Sequence, residues 1–415
     1  MANFVISIYA FYMEFALSIN AHKSRFSPAT RMRHVNPFRV MTVLQRAKAL
    51  EAQGRKIVHL EVGEPDFVTA PPILEAGRNA LAQGYTAYTP AAGLPQLRER
   101  IAAHYLDTQG VVVSPERIFV TPGASGALSL VAQMLINPGD GVLMSDPGYP
   151  CNRNYVRLAG GTAQLVPVTA ETNYQLSAAM LDEVCDESTR GVWAASPNNP
   201  TGTVLSRASL QAISQWCEQR DAHFLVDEIY HGLDYVDGLP SVLRVCDEAL
   251  VINSFSKYFG MTGWRLGWLV VPQVLVEAAN ILAQNLFIAA STVAQHAALR
   301  AFDPETTVIL EQRRAAFRQR RDFLTTALAE LGFTIAVPTQ GAFYIYAGIE
   351  AFSSNSERFC QILLDEFGVA VTPGTDFGDF ENQRYVRFAF TTSMQELELA
   401  VERLRGAVAS GRLAQ

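Results

Sequence analysis

The chain has 415 residues, 49% of them hydrophobic and 18% charged, with a formal net charge of -7. This is ordinary globular composition at a length too great for one hydrophobic core, so two domains are expected. The acidic balance without a basic block argues against a nucleic-acid partner, and five cysteines with no CxxC spacing and no ligand-spaced His/Cys cluster argue against a disulfide framework or a metal.

The stretch from Phe4 to Ile19 is apolar and aromatic, with Glu14 inside it. It is short for a membrane span and lacks the basic region that precedes a signal peptide. Residues 1–31 read as an extension from an upstream start codon, outside the fold; a docked tail and a weak targeting segment are the alternatives. From Pro37 to Gly54, the residues Val40, Val43, Leu44, Ala47 and Leu50 recur at helical spacing, and Gly54 suits the stop. Ile57–Val62 is a predicted strand. Further strands are expected at Ile118–Thr121, Val142–Ser145, Gly191–Ser196, Phe224–Val226, Leu250–Asn253 and Leu266–Val271. Helices are expected at Ala124–Ile136 and from about Ser206 to Arg220. Such alternation predicts a mostly parallel sheet with helices on both faces.

Near residue 272 the pattern changes. A long helical tract to Phe302 and an Arg-rich one from Glu305 to Leu331 are followed by short strands at Thr334–Val337 and Ala342–Tyr346. A helix at Ser356–Phe367, a strand at Tyr385–Phe390 and a final helix end the chain. The expected class is α/β. An arm and helix at 32–60 join a smaller α/β domain at 303–415, and a large domain spans 61–302.

Lysine usage is the most informative count. The chain has four: Lys23, Lys48, Lys56 and Lys257. Past residue 56 every other basic side chain is Arg or His, yet Lys257 is kept directly after a predicted buried strand. Only Lys can lose its proton near neutral pH and attack a carbonyl, and an apolar neighbourhood favours that loss. A lysine nucleophile suggests an imine with a carbonyl substrate or with pyridoxal phosphate. The second needs a phosphate cradle, an anion for the pyridinium nitrogen and groups for the ring.

Candidates exist for each part. Thr121-Pro122-Gly123-Ala124-Ser125-Gly126 lies between a strand and a helix, where small residues and free N–H groups suit an anion; Arg265 and Ser254 add a charge and a hydroxyl. Taken alone, such a start is an ordinary cap. Asp227 ends Phe224-Leu225-Val226, where a pyridinium would pair it, though a lone Asp after a strand is as readily a cap. Ser196-Pro197-Asn198-Asn199-Pro200-Thr201-Gly202 is a turn whose Asn amide can donate.

Together these segments resemble the class I aminotransferases of the pyridoxal-phosphate fold-type I family, over roughly residues 35–408. The most specific part is Ser254-Phe255-Ser256-Lys257-Tyr258-Phe259-Gly260-Met261-Thr262-Gly263-Trp264-Arg265-Leu266-Gly267, in order after Asn-Pro-Thr-Gly and Asp-Glu-Ile-Tyr. The resemblance implies a seven-stranded, mostly parallel sheet and pyridoxal 5′-phosphate held as a Schiff base on Lys257. It implies that Lys257 shuttles the proton, that Asp227 pairs the pyridine nitrogen, and that Tyr230 and Asn199 donate to the phenolate oxygen. Tyr149 would stack on the ring, and Ala124, Ser125, Ser254 and Arg265 would hold the phosphate. Tyr88 would reach the phosphate of a neighbouring subunit, which implies a homodimer. Arg387 would fork onto the substrate α-carboxylate, with a backbone contact from Gly63. Strand alternation puts Arg387 on the face of Tyr385 and Ala389, and bidentate carboxylate binding is the physical use of such an arginine.

The implied activity is a ping-pong transfer of an amino group from an amino acid to a 2-oxo acid, in the cytoplasm, by a transferase of nitrogenous groups with no membrane or metal partner. A β- or γ-lyase on the same scaffold is the nearest alternative. A cofactor-sensing regulator would need a DNA-binding domain, and an inactive interaction protein would have little use for Lys257, Asp227 and Arg387 together. Members that favour dicarboxylic substrates often carry a second arginine a few residues before the stretch that reads Ala289-Ala290-Ser291. Phe287 stands in that neighbourhood, so neutral aliphatic or aromatic amino acids are expected.

Overall fold

The long apolar runs of the first two-thirds of the chain become strands covered on both sides. In this computed structural model residues 26–414 are described; the Phe4–Ile19 stretch, with most of the expected extension at 1–31, falls outside them. The chain up to Asn36 is a unit of its own, with one 3₁₀ turn at Thr30–His34, and from Pro37 onward a second unit contains everything that follows.

β1 is short (Val58–His59). The strands β2 (Ile118–Thr121), β3 (Gly141–Asp146), β4 (Thr162–Pro167), β5 (Thr189–Ala195), β6 (His223–Asp227), β7 (Leu250–Ser254) and β8 (Gly267–Val270) form one seven-stranded sheet, ordered β2-β8-β7-β6-β5-β3-β4. Neighbours run parallel except β8, which is antiparallel to both β2 and β7. Val192, Val226 and Val251 pack into a core on one face, and Trp193, Leu225, Leu250 and Ile252 into a core on the other. Burial on both faces is why these strands read as unbroken hydrophobic runs. β4 at the sheet edge alternates instead and ends on Pro167, which suits a strand with one free side. The predicted helices appear as Gly123–Leu135 and Arg207–Glu218, the latter capped by Ser206, whose Oγ accepts from the Ser209 N–H at 3.0 Å.

The helical tract expected from 272 to 302 is interrupted. One helix ends at Leu286, Ile288 takes a left-handed backbone (φ 63°), and a new helix begins at Thr292 with the Ser291 hydroxyl as its cap. The Arg-rich helix spans Pro304–Glu330. Thr334–Val337 does not form a strand: only Thr334 bridges, to Gly348, and Pro338 follows with no N–H to continue a ladder.

The next strands are β9 (Tyr344–Gly348), β10 (Val369–Ala370), β11 (Thr372–Pro373) and β12 (Tyr385–Ala389). The last of these forms an antiparallel sheet ordered β11-β12-β9, which pairs Arg387 with Tyr346 on one side and Thr372 on the other. Its core includes Phe317, Leu324, Ile345, Phe388 and Leu397. The helix expected from Pro37 to Gly54 spans Arg39–Glu51 and packs Ala47 and Leu50 on Ile57, Leu364 and Ala370, while β1 pairs with β10. Helix Arg39–Glu51 and β1 thus pack with elements near the C-terminus.

This topology brings the chemistry to one sheet edge. The parallel strands β2, β3, β5, β6 and β7 all end there, and antiparallel β8 begins there. Register sets Ala195 beside Asp227, and Gly267 beside both Ser254 and Thr121. In open α/β sheets such a carboxyl edge is where ligands bind.

Candidate active site

Lys257 lies just beyond the end of β7. Its ammonium donates to the Gly63 carbonyl at 2.7 Å and stands 5.6 Å from the Phe343 ring centre and 5.9 Å from that of Tyr230. Burial lowers its pKa to about 8; Arg387 and Arg265 act in the same direction, while Glu64 and Asp227 oppose it. A sizeable neutral fraction is therefore present near pH 8, as a nucleophilic amine requires.

Asp227 closes β6, 5% exposed, with its Oδ1 accepting the Ile229 N–H at 3.0 Å. Burial raises its pKa to about 6, and the Ile229 bond and the Lys257 charge limit the rise. Nearby, the Tyr230 and Tyr344 hydroxyls are 3.0 Å apart. Burial, with Tyr344 adding to it, raises Tyr230 well above its ordinary range, so its hydroxyl keeps its proton.

Arg387 is buried at 2% exposure. Its Nη1 donates to Asn199 Oδ1 at 2.9 Å, and its Nη2 to the Glu61 carbonyl and, at 3.3 Å, to Thr372 Oγ1. The guanidinium carbon lies 4.2 Å from the Tyr344 ring centre and 4.9 Å from that of Phe377. Among the described residues no carboxylate lies within ion-pair distance of Arg387, and its Nε has no partner. A buried guanidinium without a directly paired carboxylate is costly unless an anion visits it.

At the start of helix Gly123–Leu135 the N-cap is Pro122, which offers no side-chain acceptor to the first N–H groups. Gly123 has φ +69°, and a Cβ there would sit 2.6 Å from Arg265 Nη2. Gly267 is equally confined, since a Cβ on it would meet the Ala124 nitrogen at 2.8 Å. Ser254 Oγ donates to the Leu266 carbonyl at 3.0 Å, and Ser125 is exposed at the helix start. Uncapped N–H groups, an arginine with no ion-pair partner among the described residues and a glycine with no room for a side chain make an anion cradle.

Tyr149 follows β3 and stands perpendicular to the Phe38 ring, with ring centres 6.0 Å apart at 88°. The fold therefore gathers Lys257, Asp227, Asn199, Tyr230, Arg387, Gly63, Tyr149, Ala124, Ser125, Ser254 and Arg265 along one edge. Tyr88 differs: it is 81% exposed, with no side-chain hydrogen bond or ring contact among the described residues. Sequence reading missed Tyr344, Glu61 and Thr372, which brace Arg387. Glu61 and Thr372 act through a carbonyl and a small hydroxyl and leave no compositional trace. Tyr344 was marked only by lying in an apolar strand.

The parts fit pyridoxal 5′-phosphate: a neutralisable amine, a buried carboxylate, hydroxyl and amide donors, and an anion cradle at a helix start. Comparison with known proteins agrees. The pattern of aminotransferase class I and II matches residues 55–404. A valine–pyruvate aminotransferase of Mycobacterium tuberculosis is 39% identical over 89% of this chain and 96% of its own length. An aspartate/prephenate aminotransferase of Thermus thermophilus is 36% identical over 90% and 96%. The crystal structure of an aminotransferase from Mycobacterium tuberculosis superposes with a TM-score of 0.89 at 38% identity, covering 93% of this chain and all of the other. With fold, site and kinship in agreement, the chain belongs to the class I and II aminotransferases, enzymes that use pyridoxal 5′-phosphate to transfer amino groups.

Proposed function

We propose that Lys257 carries the cofactor and moves the substrate proton, that Asp227 holds the pyridine nitrogen protonated, and that Arg387 takes the α-carboxylate of an amino acid with a neutral aliphatic or aromatic side chain. The observation that carries this reading is the buried Arg387, with no carboxylate among the described residues at ion-pair distance and with its Nε unpartnered, in the same cluster as the depressed Lys257. The bound cofactor supplies an aldehyde and a ring that draws electrons from the substrate α-carbon. Arg387 orients the substrate by its α-carboxylate. Lys257, once its amine is free, would take the substrate α-proton and hand it back at the far end of the transferred C=N unit. Asp227 would keep its charge for the ring nitrogen, and Asn199 and Tyr230 would donate to the ring oxygen. The cradle at Gly123, Ala124 and Ser125, with Ser254 and Arg265, holds the phosphate. Hydrolysis by one water would release the 2-oxo acid with the amino group left behind, and a second oxo acid would take that group by the reverse steps, returning the water.

Two relatives bear on the substrate: the Mycobacterium tuberculosis protein is named for valine and pyruvate, the Thermus thermophilus one for aspartate and prephenate. Phe287 in the segment before Ser291 supports the neutral class. The exposure of Tyr88, together with Leu81, Tyr85 and Ile288, supports a homodimer in which Tyr88 reaches the neighbouring phosphate. The free cysteines support a cytoplasmic setting; among the described residues no helix is long and apolar enough to cross a membrane. Separate sheets support a large domain at 61–302 and a small one at 303–415, with the arm and helix at 32–60 joining the small one.

The test is a visible spectrum and a donor panel. The purified protein should be yellow, with a band that shifts on adding an amino donor, and Lys257→Ala should lose the band and almost all turnover. With 2-oxoglutarate as acceptor, methionine or phenylalanine should outpace aspartate. Normal turnover in Lys257→Ala would contradict the assignment, and a strong aspartate preference would contradict the substrate class.

A further inference from the structure

Helix Arg39–Glu51 begins with a phenylalanine at its N-cap, and Phe38 makes no capping bond of its own. That position favours Ser, Thr, Asp or Asn, whose side chains satisfy the first N–H groups. Here the acceptor comes from far along the chain. Asp376, 2% exposed, takes the Arg39 N–H on Oδ1 at 2.9 Å and the Val40 N–H on Oδ2 at 3.3 Å. A carboxylate at a helix N-terminus is favoured by both the hydrogen bonds and the helix dipole. Because the cap is supplied remotely, position 38 is released for an aromatic ring, and that ring makes a perpendicular contact with Tyr149.

The same short segment also holds the other side of the site. The Asp376 carbonyl accepts from Arg153 Nη2 at 2.7 Å, on the helix that starts just after Tyr149. Phe377 lies under the Arg387 guanidinium, and its carbonyl accepts the Gly148 N–H at 2.9 Å. The Asp146 carboxylate accepts the Asp379 and Phe380 N–H groups at 2.9 and 3.1 Å. Asp376 therefore sits where the arm helix, the Tyr149 turn and the Arg387 support meet.

We propose that Asp376 is a positioning residue that holds the Phe38 ring against Tyr149 and so fixes an aromatic wall for the side chain of an apolar amino-acid substrate. The inference rests on the substrate reading given above. Asp376 acts through the first turn of the arm helix; its charge also reaches Arg387, and the alanine arm below, which needs Arg387 but not the wall, reads that charge separately.

The experiment uses the holoenzyme and two donors of unequal reach, alanine and methionine, with Asp376→Ala, Asp376→Asn, Phe38→Ala and the double variant Asp376→Ala/Phe38→Ala. Loss of one well-placed aromatic contact is worth about tenfold in affinity. Asp376→Ala and Phe38→Ala should each raise KM for methionine about tenfold while kcat stays within about twofold, and KM for alanine should move little. Asp376→Asn keeps one acceptor oxygen and should fall between wild type and Asp376→Ala. In the double variant the effects should not multiply, because both changes remove the same wall. Should Asp376→Ala fail to fold, Asp376→Asn with Phe38→Ala decides the same question. Equal losses for alanine and methionine, a fall confined to kcat, or multiplying effects would overturn the proposal, as would a wild type that does not turn over apolar donors. The visible band separates the two failures: if the wild type has the band and Lys257→Ala lacks it, the cofactor reading stands whatever Asp376 does.

Discussion

Arg387→Lys isolates the carboxylate-binding step. The arginine fork keeps Asn199 Oδ1, the Glu61 carbonyl and Thr372 Oγ1 as anchors, and its Nε still lacks a partner. A lysine in its place keeps the charge but cannot hold those anchors and face a carboxylate with two parallel N–H groups. Losing one charge-assisted hydrogen bond of the pair costs about 1.5–3 kcal/mol. With partial loss of the anchoring, about 2–3 kcal/mol is expected, equivalent to a fall of about 30- to 150-fold in kcat/KM. If the carboxylate is held equally in ground and transition states, the change appears in KM. The assay is steady-state transamination of methionine with 2-oxoglutarate, with cofactor loading checked by the visible band. A primary amine without a carboxylate should react no more slowly with the variant than with the wild type. A loss below about threefold, or an equal loss with the amine, would refute the role given to Arg387.

Asp227→Ala removes the buried anion beside the cofactor ring; a weak visible band should persist in cofactor titrations while turnover falls by about three orders of magnitude or more, since the ring no longer draws electrons. Gly123→Ala puts a side chain into a left-handed position 2.6 Å from Arg265 Nη2, so cofactor affinity measured by absorbance titration should fall about tenfold or more, with KM for the amino acid in the loaded enzyme little changed. Lys257 reacts only when neutral, and its pKa lies at about 8 against an ordinary 10.5. Capture of pyridoxal phosphate by the apoprotein, followed by stopped flow, should therefore rise about fivefold from pH 7 to pH 8 and level off above about pH 9. A rate that falls with pH over that range would contradict the sign.

Six of the seven strands of the large sheet were legible because runs such as Phe224-Leu225-Val226 and Leu250-Val251-Ile252 are apolar on both faces, the signature of a covered parallel sheet; the edge strand β4, exposed along one side, carries no such run and was missed. Lys257 was legible because arginine serves as the cation nearly everywhere else, and Asp227 because it closes an apolar run. Helices Pro71–Ala82 and Pro95–Gln109 each open on a proline, a start signal that their mixed faces obscure. The break at Ile288 was not legible, since a β-branched residue gives no sign of a left-handed backbone. Phe38 looked like any apolar residue before a helix, and its cap lies 338 positions away, beyond what local pattern can reach.

Three successive carbonyls, those of Glu61, Val62 and Gly63, receive Arg387, Thr391 and Lys257 in turn. The anchor for one end of the substrate and the reactive amine are thus gauged from the same few peptide units. Because oxygen atoms of the main chain do the gauging, no single side-chain exchange can erase it. A one-residue insertion or deletion would, by offering each partner its neighbour's oxygen. Length, more than spelling, is what this part of the chain has to preserve.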